Sequence, residues 1–503
     1  MGGKRGARNA SVIMSGFLPF HQTLLRRLAA LLAPSKDAFV VGGAIRDLLL
    51  SRQPLEDLDL ALPGGALQTA EALAIHTGGR YVCLDAERGA GRVVLRSEGR
   101  VAQVDLTEFR GPSLEADLRA RDFTINALAV SLSGLVEEGA VEVVDPTGGL
   151  SDLARRRLRL AGPASFAEDP LRTLRAVRLA GELGFSLDPG VRRAARAVAP
   201  RLGEVAPERI RTELAGILAL PRTGPALREL DRLDLLASIL PERSPMKSAI
   251  QPAPHRFTVW EHSLRAVEAA DRVLADLEAL APYQAALTAH LSEPLGDSLT
   301  RREVLKLAAL LHDVAKPETR QRIGGRIRFI GHDKVGAERA RAIALRLRLS
   351  SAATAVLVQL VRHHLRAMHL GQLPEVSRRA RYRFFRDLGA EVLDLFLLAL
   401  ADAAAVRGVS PRAVWRGAMG RLVAGLMVGW EEDCRQATRP PLLRGEDVMA
   451  AFGLPSGPEV GRLLAMAREA QDLELVRTRE EALDYLASRS DTPHPLPQGD
   501  RAG

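Results

Sequence analysis

Residues 39–60 read FVVGGAIRDLLLSRQPLEDLDL, and this stretch constrains the fold more than any other. An apolar run from Phe39 to Val41 meets Gly42-Gly43. Residues 44–50 have helical composition, and Leu58 and Leu60 then alternate with Asp57 and Asp59. The pattern predicts a strand, a tight turn, a short helix and a second strand. A strand–glycine–helix turn aims backbone N–H groups at one spot and suits a phosphate. Residues two apart on a strand share a face, so Asp57 and Asp59 project together, about 7 Å apart. Two hard carboxylates beside a phosphate cradle make a Mg²⁺ site for nucleotide chemistry. Alone, a GG turn is usually only a turn and a DxD pair a solvated strand end. Their order and closeness favour chemistry.

The 503 residues allow three or four domains with ample core. Leu and Ala dominate the apolar residues, and aromatics make up only 4% of the chain, which favours helices over an all-β plan. The formal charge of +9 suits an anionic partner, nucleic acid before membrane, although an Arg-rich coding bias gives the same surplus. Cys83 and Cys434 lie far apart, so no disulfide framework or thiolate metal site is expected, and a reducing compartment fits. No apolar run approaches the ~20 residues that span a bilayer, and a cytoplasmic location is the expectation.

Residues 80–84, 91–95 and 101–106 read as further strands. The last carries Asp105 among apolar neighbours, and a third carboxylate there would complete a two-metal cluster; the plainer reading is a strand-end Asp. Residues 165–179, SFAEDPLRTLRAVRL, predict a helix starting at Asp169-Pro170. Asp169 and Arg172 would then be surface neighbours, with Arg175 continuing that side. Cytosine and adenine both offer an amino donor beside a ring-nitrogen acceptor, which an Asp/Arg pair complements; uracil and guanine repel it. A capped helix with an Arg face is the bland alternative.

GGAIRD followed by DLDL resembles the head signature of the class II tRNA nucleotidyltransferase and bacterial poly(A) polymerase superfamily. The resemblance implies catalytic Asp57 and Asp59, with Asp105 as third member, and nucleotide contacts from Gly42, Gly43, Arg46 and Asp47. RARDFTINAL resembles the family's next motif, implying that Arg121, Asp122 and Asn126 hold ribose and triphosphate; here Ala120 stands where many members carry Arg. VEVVDPTGG matches the following motif through Asp145 and Gly148. EDPLR is similar to the EDxxR base-reading motif, implying roles for Asp169 and Arg172, support from Glu168, and neighbouring nucleotide contacts from Arg175 and Arg178. ERIRTE matches the motif after it, with Glu208, Arg209 and Glu213 bracing the base-reading helix; a solvated salt-bridged face is the alternative.

Residues 241–254 contain four prolines and read as a linker. Beyond them the composition turns helical and most of the 11 histidines gather. Imidazoles beside carboxylates suit Mn, Fe, Ni, Zn or Mg. The order H…HD…H…HH…D resembles the HD phosphohydrolase superfamily. It implies core metal ligands His262, His312, Asp313 and Asp402, a second metal at His332, His363 and His364, and a phosphate contact from Lys316. The attendant chemistry is a metal-activated water attacking a phosphoester.

The expected fold class is α+β: a small mixed-sheet nucleotidyltransferase head, an all-α neck, an HD helical domain and a helical tail. The boundaries read as 1–20 disordered, 21–160 head, 161–250 neck binding base and RNA, 251–425 HD domain, 426–487 helical segment and 488–503 disordered tail. The resemblance implies template-independent addition of C and/or A to tRNA 3′ ends from CTP and ATP, with Mg²⁺ in the head and a divalent transition metal or Mg²⁺ in the HD site. Arginines of 155–159 and 378–386 would hold the acceptor arm. Three rivals stand beside it. A poly(A) polymerase commonly shows a GRRF-type strand where this chain has GGRYVCLDAERG. The others are an RNA-end phosphohydrolase working through the HD domain and a non-catalytic RNA-binding protein. No membrane role is expected, and no oligomeric state follows from the sequence.

Overall fold

The computed structural model describes residues 11–17, 19–32, 37–52, 57–97, 100–137, 140–373, 376–437 and 440–489. The disordered start and tail expected from sequence lie, at 1–10 and 490–503, outside these. The chain divides into two compact units, Met1–Pro241 and Glu242–Gly503.

The first unit carries a mixed sheet of β1 (Phe39–Val41), β2 (Asp57–Leu62), β3 (Arg80–Asp85), β4 (Ala90–Ser97), β5 (Arg100–Glu108) and β6 (Ala129–Ser131). Their order is β3-β4-β5-β2-β1-β6. Only β2 and β5 pair in parallel. Alternation along β2 sends Leu58 and Leu60 into the core, and leaves Asp57 and Asp59 with solvent access on the other face. The helix Ala66–Thr77 covers β4 and β5 through buried Ala70 and Leu73. Between β1 and α1 (Gly43–Leu49), Gly42 sits at φ +78°, a left-handed conformation in which any side chain is strained.

The stretch 11–17 departs from the expected disordered start. Ser11–Ile13 pairs antiparallel with Ala140–Glu142, because Val12, Met14 and Phe17 find places to bury.

The remainder of this unit is helical. α2 (Arg172–Leu183) packs on α3 (Pro207–Ala219) and on Thr223–Arg232, burying Leu174, Val177, Leu214 and Leu227. The expected helix start at Asp169-Pro170 is corrected: Asp169 closes the short helix Ser165–Glu168 at φ −144°, ψ 98°, and α2 begins at Arg172. A residue before proline is driven from the helical region toward the extended one, which ends one helix and delays the next.

In the second unit, α4 (Val259–Ala275) packs against α5 (Arg301–Leu311) and α8 (Val392–Arg407), while α6 (His332–Arg346) packs on α7 (Ser351–His363), which in turn lies on α5. α5 starts with a capping box, Thr300 and Glu303 exchanging hydrogen bonds with each other's backbone. α8 is apolar nearly all round and correspondingly central. Between α5 and α6 stands a hairpin of β7 (Arg320–Ile323) and β8 (Arg326–Phe329). Three further helices, Gly445–Phe452, Pro458–Asp472 and Arg479–Ala487, share a separate small core around Val448, Leu463 and Leu486.

The linker expected over residues 241–254 is also corrected. Arg243–Ser248 is helical, and the loop after it folds back on itself through an Ile250–Thr258 bridge and the Val259 N–H donating to Ala249. Among the described residues no helix is long and apolar enough to cross a membrane.

Candidate functional sites

The first site lies on the sheet. In the strand register Val41 faces Asp59, Asp59 faces Asp105, and Asp105 faces Arg92, so one cross-strand row holds two carboxylates and a guanidinium. Asp57 precedes Asp59 on the same face. A Cβ on Gly42 would come within 3.1 Å of an Asp59 oxygen and 3.4 Å of Arg121, so the missing side chain lets both approach the turn. Arg121 is held by two 3.1 Å bonds to the buried Asp117. Protein surrounds Asp59 on most sides although one face stays open to water. Burial pushes its carboxyl up to about 6, with Asp105 and Asp57 adding and Arg121 and Arg92 opposing. A carboxylate short of solvation, beside a second one, gains from a divalent cation. Asp57 and Asp59 fit such an ion.

Asp105 shares the row with Asp59, and both of its oxygens accept from Arg92, each at 2.7 Å, which fixes the carboxylate's direction and leaves each oxygen a further lone pair.

From the turn a polar relay runs into the neck. Arg46 donates twice to Asp47 at 2.8 Å and once to Asn126 at 2.7 Å; Asn126 donates to Asp122 at 3.1 Å. Arg175 lies 3.5 Å from Asp122 and 3.1 Å from Glu213. Arg178 binds the other Glu213 oxygen at 2.7 Å. Glu213, 4% exposed on α3, thus anchors two arginines of α2.

Asp169 and Arg172 do not share a helix face. Asp169 accepts from the Leu171 N–H and, at 2.7 Å, from Arg209. Arg172 donates to Ser165 and reaches Glu168 at 3.5 Å. Glu208 lies in the first turn of α3. Asp145 accepts from the N–H groups of Gly148, Gly149 and Leu150, and so builds the turn into Gly149–Ala154. Within the arginine runs expected to grip RNA, Arg157 and Arg159 pair with Asp152, and Arg379, Arg383 and Arg386 pair with Glu469.

The second site lies among α4 to α8. Nε2 of His262 is 3.2 Å from Nε2 of His312 and 3.0 Å from an oxygen of Asp402. Asp313 Oδ1 is 3.4 Å from His332 Nε2 and 3.6 Å from His364 Nε2, and those two nitrogens are 3.3 Å apart. Two donor triads result, His262/His312/Asp402 and Asp313/His332/His364. His312, His332 and His364 each donate Nδ1–H to a carbonyl one turn back, at Ala309, Phe329 and Val361, which leaves every Nε2 lone pair aimed inward. Asp402 Oδ1 is buried without an aligned donor despite its neighbours. In each triad the imidazole nitrogens and the carboxylate oxygen lie within 4.8 Å of one another, and this mixed donor set fits divalent metal.

Burial disfavours charge on His312, but Asp313 and Asp402 outweigh it and raise its pKa. Burial likewise opposes ionisation of Asp313, yet His312 and Lys316 hold its carboxyl well below the usual range.

His363 is not brought into the cluster. It points elsewhere on the last turn of α7, and burial followed by Arg366 and Arg362 lowers its pKa. Lys316 bridges Asp313 and Gln251, at 2.7 Å to each. A cavity of about 450 Å³ opens over the cluster, lined by Pro252, His255, Lys316, Phe329 and Met368 among others. His255 stacks edge-on against His262 at 5.1 Å between centroids, and burial lowers its pKa to about 4, with Lys316 and His262 adding. Gln251 and His255 escaped the sequence reading because their loop looks like a linker. Among the first-site residues, Arg92 and Asp117 escaped it because only strand register and packing reveal them.

Family models match three stretches: the Poly A polymerase head domain at 38–159, the probable RNA- and SrmB-binding site of polymerase A at 184–246, and the HD domain at 259–405. The A-adding tRNA nucleotidyltransferase of Deinococcus radiodurans is 38% identical over 89% of this chain and 94% of its own. The CC-adding tRNA nucleotidyltransferase of Thermus thermophilus is 39% identical over 90% and 93%. In fold, the chain is similar to a CCA-adding enzyme in its apo form, with a TM-score of 0.65 at 19% identity over 96% of this chain and 100% of that one. The Thermotoga maritima CCA-adding enzyme complexed with tRNA aligns with a TM-score of 0.59 at 20% identity, over 95% and 98%. With such relatives matched along nearly their whole length, the chain belongs to the tRNA nucleotidyltransferase family and is a transferase whose head is followed by an HD domain.

Proposed function

We propose that this protein extends tRNA 3′ ends by C and/or A, taking CTP and ATP without a template and releasing pyrophosphate. One observation carries the reading: Asp57 and Asp59 project from one strand face against the Gly42 turn, in a chain about as similar to an A-adding as to a CC-adding enzyme. Asp57 and Asp59 would hold Mg²⁺, which would lower the pKa of the attacking ribose hydroxyl and neutralise the charge of the triphosphate as pyrophosphate leaves. Asp105, held in direction by Arg92 and next to Asp59 in the same row, would complete the carboxylate set around that ion. Gly42 and Gly43 leave room for phosphate, and Arg121 lies over the same turn with Asp117 fixing its direction. Asn126 and Asp122 offer polar groups to the ribose, tied to Arg46 and Arg175.

Base choice falls to Asp169 and Arg172. They stand on either side of the Pro170 turn, both partly accessible, Asp169 steadied by Arg209 and Arg172 by Ser165. An acceptor and a donor spaced by that turn complement C and A, and oppose U and G. Glu213 keeps the helix they lead into in place through Arg175 and Arg178.

The two triads of the second unit favour a further activity, metal-dependent hydrolysis of phosphoesters. His262, His312 and Asp402 would hold one ion, and Asp313, His332 and His364 another. Lys316, fixed by Gln251 and Asp313, would meet a phosphate oxygen. The place of action, with tRNA as partner, is the cytoplasm.

The deciding experiment offers transcripts ending at the discriminator base, at C or at CC, with CTP, ATP, UTP and GTP in Mg²⁺. Three-residue growth of the shortest transcript with CTP and ATP together means full CCA addition. A stop after two Cs means CC addition, and one A on the CC-ended transcript alone means A addition. Long ATP-only tails, or no incorporation, would overturn the reading.

A further inference from the structure

From the β7–β8 hairpin we infer that the second unit grips a single-stranded RNA through exposed arginines and presents its phosphorylated 3′ end to the histidine–aspartate cavity. The inference rests on reading that cluster as a phosphoester-hydrolysing site. The hairpin reads RQRIGGRIRF, and Arg320, Arg322, Arg326 and Arg328 are all exposed. Among the described residues none of the four makes an ion pair with an acidic side chain, whereas the arginine helix Arg378–Leu388 is tied to Glu469 and Glu474. Four unneutralised guanidiniums on so short a segment repel one another, and a polyanion relieves that repulsion. Arginine forks also fit phosphate oxygens in pairs.

Placement selects the ligand. β8 lines the cavity through Ile327, Arg328 and Phe329, and the Phe329 ring lies 5.6 Å beneath the Lys316 ammonium. Arg320, Arg322 and Arg326 do not line it. A lone phosphate or mononucleotide seated over the cluster uses Lys316 and Arg328 at most; only a longer chain running out of the cavity meets the other three. Arg320 and Arg322 share one face of the hairpin with the cavity-lining Ile327 and Phe329 and stand about 7 Å apart along the strand, a spacing that can follow a phosphate backbone out of the cavity, while Arg326 and Arg328 lie on the other face. Ile323 and Ile330, 45% and 59% exposed at the two ends of the hairpin, give unpaired bases an apolar surface that a duplex would not use. Gly324 and Gly325, at φ +55° and +75°, close the hairpin tightly, so it presents a defined edge. In the reaction itself, a water oxygen bonds to phosphorus, the ester bond to the ribose oxygen breaks, and a water proton passes to that oxygen.

The test compares the full chain with its Arg320→Gln/Arg322→Gln/Arg326→Gln variant, which spares Arg328 and every cluster residue. Phosphate release is followed from a 3′-phosphorylated RNA oligonucleotide and from a nucleoside 3′-monophosphate. The expected result is a loss of at least about tenfold in kcat/KM for the oligonucleotide, with its salt slope shallower by up to about 2 (roughly 0.7 per single-strand phosphate contact), and no change for the mononucleotide. Equal losses on both substrates, or no loss on either, overturn the inference. So does a parallel loss of nucleotide incorporation into tRNA, which would assign the hairpin to tRNA in general. If the unaltered chain releases phosphate from neither substrate, the hydrolytic reading fails by itself. The hairpin is then judged by fluorescence anisotropy of the same oligonucleotide: a tenfold weaker complex in the variant retains it as an RNA-binding edge, and unchanged binding ends the inference.

Discussion

Arg92 and Asp105 face each other across neighbouring strands and are joined by two hydrogen bonds of 2.7 Å, beside Asp59 in the same cross-strand row. The pair sets the charge that Asp59 experiences. Asp105 pushes the Asp59 pKa up, Arg92 pulls it down, and burial is the largest upward influence. Removing Arg92 alone therefore leaves Asp59 holding its proton to higher pH. Proton and Mg²⁺ compete for that carboxylate, so Arg92→Ala is expected to raise the Mg²⁺ concentration for half-maximal incorporation, more at pH 6 than at pH 8. The double variant with Asp105→Ala returns most of the shift. Because the pair is partly exposed, stability changes by no more than about 1 kcal/mol. Mg²⁺ titrations of incorporation at the two pH values check this; an equal change at both would refute it.

Asp59→Asn removes the carboxylate that faces the glycine turn while keeping its shape. Incorporation is expected to fall by more than the roughly 10–100-fold typical of losing an outer partner of a metal. Phosphoester hydrolysis by the second unit continues unchanged. The metal-free variant unfolds no earlier than the unaltered chain, because the raised carboxyl pKa means that ionised Asp59 is held against its preference above about pH 6. Single-nucleotide gels and thermal unfolding of the same preparation read both effects.

Glu213 binds Arg175 and Arg178 from a position that is itself buried. Glu213→Ala leaves Arg175 with Asp122 alone and Arg178 with Glu182 alone at the α2–α3 contact. Losing one partner of a fully buried pair costs about 3–5 kcal/mol; the partial exposure of Arg175 lowers the expectation to about 2–3 kcal/mol. Denaturant unfolding measures it. Glu213→Gln, which still accepts one bond, is expected to lose less, and an equal loss in both would show that charge alone matters.

What was legible in the sequence was local. Period-two alternation put Asp57 and Asp59 on one face because that pattern needs no knowledge of partners. Arg92 needed the β4–β5 register, which forms between distant segments. The spacing of Asp169 and Arg172 misled because helical neighbourhood presumes an uninterrupted helix, and Pro170 forces Asp169 into extended backbone. Gln251 and His255 lie in a proline-rich stretch that composition calls a spacer, and only the Ile250–Thr258 bridge turns it into a loop over the cavity. In the same way, composition could not tell which arginines are neutralised inside the chain.

The adjacent histidines at the end of α7 give the sharpest separation. Neighbouring helical residues diverge by about 100°, so only one of them can face the cluster. His364 does, with Nε2 3.3 Å from that of His332 and Nδ1–H donated to Val361. His363 lies half-buried beside Arg366 and Arg362, whose charges join burial in keeping it neutral. His364→Ala is expected to lose bound divalent metal and at least about 100-fold in phosphoester hydrolysis, above the effect of outer-partner changes. His363→Ala keeps both. Metal content of the purified full chain after reloading, measured beside hydrolysis, separates the two. Loss of metal in His363→Ala with retention in His364→Ala would mean that α7 presents the opposite face to the cluster, and the assignment of the second triad would fall with it.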